Sequence, residues 1–285
     1  MSKVNKLHSN RRVIWVNEKK EKKHKIDLIG LVWMRKSKSG KRFIELDLLR
    51  GFALIIMILG HILWDLDYFN LIPMNSTIYA LLQKIVPPLF FILVGMSIIA
   101  GKKKKQLTPD EEKKYNEALI IRGLKIFNLG MFLTIASLLV MPQRPVFFGV
   151  LHCIGLSIVL CAFFLKYRLY NVFLAGAIFF TSLVLSNITI SNPSLLHLIF
   201  GICPADIWKY TVDYFPLIPW FGFTLFGVAI GHFMYCGETR RVRIPDLSKY
   251  KPAKLFSWIG QHSLAIYLLH QPVIAGALYV FVRFI

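Results

Sequence analysis

Between Phe43 and Leu63 the chain is almost continuously apolar over a length that crosses a lipid bilayer, yet ionisable side chains flank and interrupt the run. In hydrocarbon every backbone polar group must be satisfied internally, so a run of this kind is confined to an α-helix. The segment reads Arg42-Phe-Ile-Glu45-Leu-Asp47-Leu-Leu-Arg50-Gly51, then nine apolar or glycine residues, then His61, then Trp64-Asp65-Leu-Asp67. Asp47 and Arg50 are three apart and share a helix face, as do His61 and Asp65 at a spacing of four. His61 lies about 16 Å beyond Arg50 along the axis at 1.5 Å per residue. Ionisable groups are costly at membrane depth, so each is a functional-site candidate by default.

Similar apolar runs recur along the chain. Spans are expected at 43–65, 77–100, 118–141, 146–165, 169–188, 214–236 and 255–282. Hydrophobic residues make up 55 % of the 285, and seven spans leave little chain for a soluble domain. The expected fold is therefore all-α: a polytopic membrane bundle of about seven transmembrane helices, residues 42–285, preceded by a basic arm, residues 1–41. The arm is polar, and its apolar stretch Ile26 to Met34 is short and lacks a small-residue cleavage site, so it does not read as a secretory signal. The fourth and fifth spans are separated only by Lys166-Tyr-Arg168-Leu and read as a tight helical hairpin. Pro87-Pro88 in the second span removes two backbone donors and favours a kink.

The net charge of +20 would point to nucleic acid in a soluble protein. Here the cations sit in alternate loops, which is a signature of membrane topology, and no nucleic-acid partner is expected. The arm before Phe43 holds fourteen Lys or Arg. Lys102 to Lys105, Lys113, Lys114, Lys166, Arg168, Arg240, Arg241, Arg243, Lys249, Lys251 and Lys254 fall on the same side. Lys84, Arg144, Lys209 and Arg283 are the exceptions. The positive-inside rule places the N-terminus in the cytoplasm of a multi-pass cell-membrane protein. The opposite loops, 64–76 and 189–213, are acidic and aromatic, with Asp67, His197, Asp206, Asp213, Trp208 and Tyr210. Such surfaces suit sugars or amines, and they equally suit an interfacial aromatic belt. Cys153, Cys161, Cys203 and Cys236 are scattered, so neither a disulfide framework nor a metal cluster is expected.

His61 is the first candidate for chemistry, because a neutral imidazole near a wet cavity can take a proton from an amine or hydroxyl. Asp65 would orient it. His152 sits among Gly149, Gly155 and Ser157 at the start of the fourth span, where it can line the same cavity or form an interhelical hydrogen bond. The last span carries His262, Ser263, Tyr267, His270 and Gln271, a polar density that fits a path through a bundle or polar packing between helices. His262 falls near the lysine-rich face, and His270 about 12 Å deeper. Asp47, Arg50 and Arg122 lie at the cytoplasmic ends of their spans, where the cations can hold a polyanion by its phosphates. No phosphate loop, dinucleotide fingerprint or zinc motif is present.

Four blocks then match a known pattern in order. They are Arg42-x4-Asp47-x2-Arg50-Gly51 with Met57 and His61; Leu89 to Ser97 with Gly95; Phe148-Gly149-Val-Leu-His152-Cys-Ile-Gly155; and Trp258-Ile-Gly260-Gln-His262-Ser263-Leu-Ala-Ile-Tyr267-Leu-Leu-His270-Gln271-Pro272. Together, over roughly residues 42 to 283, they resemble the heparan-α-glucosaminide N-acetyltransferase catalytic-domain family, in its short prokaryotic form. The last block is also similar to the integral-membrane acyltransferases that decorate bacterial polysaccharides. The resemblance implies transfer of an acetyl group from cytosolic acetyl-CoA to an amino sugar or hydroxyl across the membrane. Lysosomal members carry an active histidine in the loop after their first span. Residues 64 to 76 contain none here, and the nearest imidazole is His61.

These strands combine into one expectation. Acetyl-CoA, a co-substrate, enters from the basic side with Arg50, Asp47, Arg122 and His262 around it. His61 acts as base, or carries the acyl group, with Asp65, His152 and His270 assisting. The acceptor is a glycan, an amino sugar or a lipid-linked compound, membrane lipids surround the bundle, and a homodimer is compatible with it. The rival is a proton-coupled transporter or flippase of a small polar or lipid-linked solute using the same inward polar groups.

Overall fold

Three pairs of glycines determine how the helices of this protein meet. The computed structural model describes residues 42–73, 75–102, 107–236 and 239–284; the basic arm and Lys103 to Lys105 lie outside the described residues. The helices are α1 (Ile44–Tyr68), α2 (Ser76–Ala100), α3 (Pro109–Val140), α4 (Val150–Phe164), α5 (Asn171–Leu185), α6 (Leu195–Phe200), α7 (Leu217–Met234), α8 (Lys251–Gln261) and α9 (Ser263–Phe284). Two short strands, β1 (Tyr235–Cys236) and β2 (Thr239–Arg240), pair as an antiparallel hairpin between α7 and α8.

A Cβ on Gly51 would lie 1.9 Å from the Phe256 carbonyl oxygen, and one on Gly260 would lie 1.8 Å from that of Asp47. The backbones of α1 and α8 are therefore in direct contact. Gly95 and Gly227 do the same for α2 and α7, at 2.1 Å from Thr224 O and 2.1 Å from Ile92 O. Gly123 and Gly155 do it for α3 and α4, at 2.6 Å from Gly155 O and 2.5 Å from Phe127 N. Lipid tails are as apolar as leucine, so such close backbone approach, rather than apolar burial, is what favours helix association in a membrane. The buried core gathers Phe91, Leu93, Ile98, Ile158, Leu225 and Val228 along α2, α4 and α7, with α7 central and α5 packed on its outer side.

Local chemistry sets the boundaries. Asn75 caps α2, its Oδ1 accepting from Thr77 N and Ile78 N at 3.1 Å each. Thr108 and Glu111 form a reciprocal capping box around Pro109, so α3 starts nine residues ahead of the expected span at 118 and its acidic first turn precedes the apolar stretch. The helix of α2 continues through Pro87 and Pro88.

Among the described residues, six helices are long and apolar enough to cross a membrane. One of them, Val150–Leu185, is interrupted at Arg168, whose φ of 48° is left-handed. Asn171 closes that turn by donating from Nδ2 to the carbonyls of Phe164 and Arg168. The two arms, α4 and α5, pack on α7 more than on each other. The expected last span, 255–282, divides at His262 into α8 and α9, and His262 Nδ1 bonds the Trp258 carbonyl at 2.8 Å. Lysines punctuate α8 on one face while Ala253, Ser257 and Gly260 bury the other against α1. By contrast α9, which has no buried residue, packs on α1 and the end of α8.

Candidate functional site

Two imidazoles from opposite ends of the sequence face each other. His61 of α1 and His270 of α9 have ring centroids 4.8 Å apart in an edge-on arrangement. One turn further along α1, Asp65 is 2 % exposed, and Gln271 Nε2 donates to its Oδ1 at 2.9 Å and Oδ2 at 3.1 Å. The i,i+4 spacing on α1 and the adjacency of His270 and Gln271 on α9 thus match residue for residue across the helix pair.

The tautomer of His270 follows from its partner. Its Nδ1 bonds the Tyr267 carbonyl, which only accepts, so Nδ1 carries the proton and Nε2 presents a lone pair. That Nε2 is buried with no hydrogen-bond partner among the described residues, and the same is true of Gln271 Oε1. His61 makes no hydrogen bond among the described residues; its contact is the His270 ring. The pair thus provides an available buried lone pair on one ring and an unrestrained second ring beside it. Such a site can accept and relay a proton.

At the lysine-rich end Arg50 joins three helices. Its NH1 donates to Asp47 Oδ1 at 2.8 Å and to Gly260 O at 3.4 Å, and its NH2 to Ser97 Oγ at 2.7 Å. Ser97 in turn donates to Leu93 O at 2.6 Å. Asp47 answers the charge of Arg50, so this group pins α1, α2 and α8 together. Arg122 on α3 is different. Its side chain is exposed, and Arg50 and Tyr115 are near enough for their charges to act on it. No hydrogen bond or ion pair among the described residues engages its guanidinium.

His152 stands apart from the His61–His270 pair. It is 1 % exposed, packs between Phe127 and Phe148, and accepts at Nδ1 from Gly149 N at 3.2 Å. Its other nitrogen approaches Thr134 Oγ1 at 3.4 Å. These partners belong to α3, α4 and the loop between them, so here it fixes the start of α4. His262 sits at the α8–α9 break, its ring tilted against that of Trp258 with centroids 4.6 Å apart. Close to the start of α4, Asp213 accepts from Val150 N at 3.1 Å. Burial pushes the Asp213 carboxyl up to about 6, opposed by that hydrogen bond.

Two groups of polar contacts were not singled out from the sequence. The bond from Gln271 to Asp65 is one; the sequence marks Gln271 only as one of several polar residues of the last span. The other is a clamp at the start of α1, where Glu45 receives Arg240 Nε at 2.8 Å and NH2 at 2.7 Å, with Tyr235 Oη at 3.3 Å. It ties the β-hairpin to α1 across 195 residues, a separation no local pattern reveals.

Comparison with curated proteins and with solved structures finds no match. The family model described as "Heparan-alpha-glucosaminide N-acetyltransferase, catalytic" matches residues 42–272, which include every helix from α1 to α8 and the His270–Gln271 end of the polar pair. The chain belongs to the heparan-alpha-glucosaminide N-acetyltransferase catalytic-domain family of membrane proteins.

Proposed function

We propose that this membrane acetyltransferase moves an acetyl group from acetyl-CoA, bound from the lysine-rich side, to an amino-sugar or hydroxyl acceptor at the opposite end of the bundle. The observation that carries the reading is the His61–His270 pair, with Asp65 held by Gln271 one turn away. The acceptor X–H attacks the thioester carbonyl, its proton passes to the imidazole pair, the C–X bond forms and the C–S bond breaks. The same proton then goes to the departing thiolate, so donor and acceptor leave as coenzyme A and acetyl-X. His61 is the base, or the acyl carrier in a two-step route. Asp65 supports it and His270 relays the proton. Arg122 contacts the coenzyme phosphates as an open guanidinium, while Arg50, Asp47 and His262 shape the entrance. His152 acts by fixing the α4 end of the cavity.

A roughly 16 Å separation between Arg50 and His61 along α1 is within reach of a flexible pantetheine arm. Family membership favours acetyl transfer over the transporter reading. The test is thiol release and acetyl transfer from radiolabelled acetyl-CoA to a panel of amino sugars, using purified protein in nanodiscs. His61→Ala should lower transfer by about 10²- to 10⁴-fold, the range of a general base. Equal rates in the native chain and the variant would remove His61 from the chemistry.

A further inference from the structure

At the end of the bundle opposite the lysine-rich loops, two loops meet around an arginine whose charge no carboxylate among the described residues answers. Arg144, from the α3–α4 connection, donates from NH2 to the Trp208 carbonyl at 2.7 Å. Its Nε is buried without a partner among the described residues. The neighbouring Asp206 is already paired with Lys209 at 3.2 Å, so the group is net positive. Arg144, Asp206, Trp208 and Lys209 together line an open depression of about 510 Å³.

The segment beside the depression is folded and apolar outward. Tyr214 Oη donates to Leu198 O at 2.6 Å, and Ile207, Thr211 and Tyr214 are buried. Leu195 and Leu196 of α6 are nevertheless 68 % and 66 % exposed, and Trp208 and Tyr210 each about half exposed. These residues precede α7 and lie outside the spans. Exposed leucines with tryptophan and tyrosine at a helix-bundle end are the composition of a surface lying in the lipid interface. A pinned guanidinium beside an open indole, with acyl-compatible surface alongside, matches an amphiphile with an anionic oxygen head. The guanidinium fork fits phosphate in particular.

We infer that Arg144 and Trp208 form a binding site for the phosphate of an interfacial lipid, and that the acceptor of this protein is carried on such a lipid phosphate. The second half rests on the acetyl-transfer reading; the first does not. By the order of the spans the α3–α4 connection lies on the same membrane side as the His61 and Asp65 end of α1, so a lipid held there by its phosphate carries its attached group on the side from which the imidazole pair is reached.

The experiment titrates a short polyprenyl phosphate into the full chain in phosphatidylcholine nanodiscs and counts retained lipid by native mass spectrometry. The corresponding polyprenol, phosphatidylglycerol and inorganic phosphate serve as competitors. Binding should weaken about tenfold in Arg144→Gln, the scale of one lost charged hydrogen bond. It should fall similarly for the uncharged polyprenol, recover partly in Arg144→Lys, and stay unchanged in Lys84→Gln at a separate depression of the same end. Unchanged binding in Arg144→Gln while Arg144→Lys remains monomeric and folded overturns the site. Equal binding of polyprenol, or displacement by inorganic phosphate, overturns the lipid-phosphate assignment. Displacement by phosphatidylglycerol at equal concentration makes it a site for bulk lipid and overturns the acceptor role. Acetyl transfer to a soluble amino sugar, compared between the native chain and His61→Ala in the same discs, reports on the enzymatic reading separately.

Discussion

The α1–α8 crossing gives a perturbation whose size follows from the structure. A Cβ at Gly260 would sit 1.8 Å from Asp47 O and 2.9 Å from Gly51 N, both backbone atoms that no rotamer can move aside. Gly260→Ala must therefore part the two helices by roughly 1.5 Å to restore an ordinary van der Waals contact. Overpacking of this kind costs about 1–3 kcal/mol. The Arg50 NH1 bond to Gly260 O, 3.4 Å long before any separation, goes with it at about 1 kcal/mol. On the scaling of about 2–4 °C per kcal/mol for larger domains, the melting temperature should fall by roughly 5–15 °C. The matched control is Gly276→Ala in α9, where an added Cβ meets nothing within 4 Å. There the helix gains up to about 1 kcal/mol of intrinsic propensity, and the melting temperature should rise by a few degrees at most. Because α8 carries α9, the shift also moves His270 against His61, and transfer should drop about 100-fold in Gly260→Ala alone. Scanning fluorimetry in detergent and a transfer assay measure both quantities. If the two glycine variants change stability in the same direction and by the same amount, the backbone contact is not what holds these helices.

Arg122→Gln should raise the KM for acetyl-CoA about tenfold with little change in melting temperature, whereas Arg50→Gln should chiefly destabilise, since Asp47, Ser97 and Gly260 lose their shared partner; steady-state kinetics beside thermal melts separate the two. Glu45→Gln removes the bidentate acceptor of Arg240, and limited trypsin digestion should cut the 240–243 segment several-fold faster. Asp213 has a folded value near 6 against a usual 3.8, so the folded state binds more protons than the unfolded state between those values. Its contribution to stability is present below about pH 4 and is lost as pH rises through about 6. Asp213→Asn keeps an acceptor for Val150 N and should flatten the melting temperature between pH 4 and 6.5; an unchanged pH slope would show that Asp213 is not the titrating group.

What the sequence revealed, and what it concealed, divides along the range of the interactions. The spans were legible because hydrocarbon imposes a length and a backbone rule on each helix separately, and His61 and Asp65 shared a face because four residues is one turn. Arg50 was legible as a special residue, and its spacing of three from Asp47 anticipated their pairing; Ser97 and Gly260, 47 and 210 residues away, which complete its shell, were not legible. His152 shows the same limit. Small neighbours and membrane depth marked it, yet its Nδ1 lone pair accepts from Gly149 N three residues before it, a helix-start geometry that stays hidden until the donor is known. The break at His262 was hidden because the run Gly260-Gln261-His262-Ser263 reads equally well as polar residues within one continuous span. The break has a functional consequence: α8 is locked to α1 by backbone contact, while α9 meets α1 chiefly through side chains, among them His270 and Gln271. A rigid α8 fixes where α9 begins, and the polar residues opposite His61 and Asp65 fix its rotation. The imidazole pair is therefore positioned by the same glycine contact that Gly260→Ala disturbs, which is why one methyl group placed far from either imidazole is expected to lower both stability and turnover.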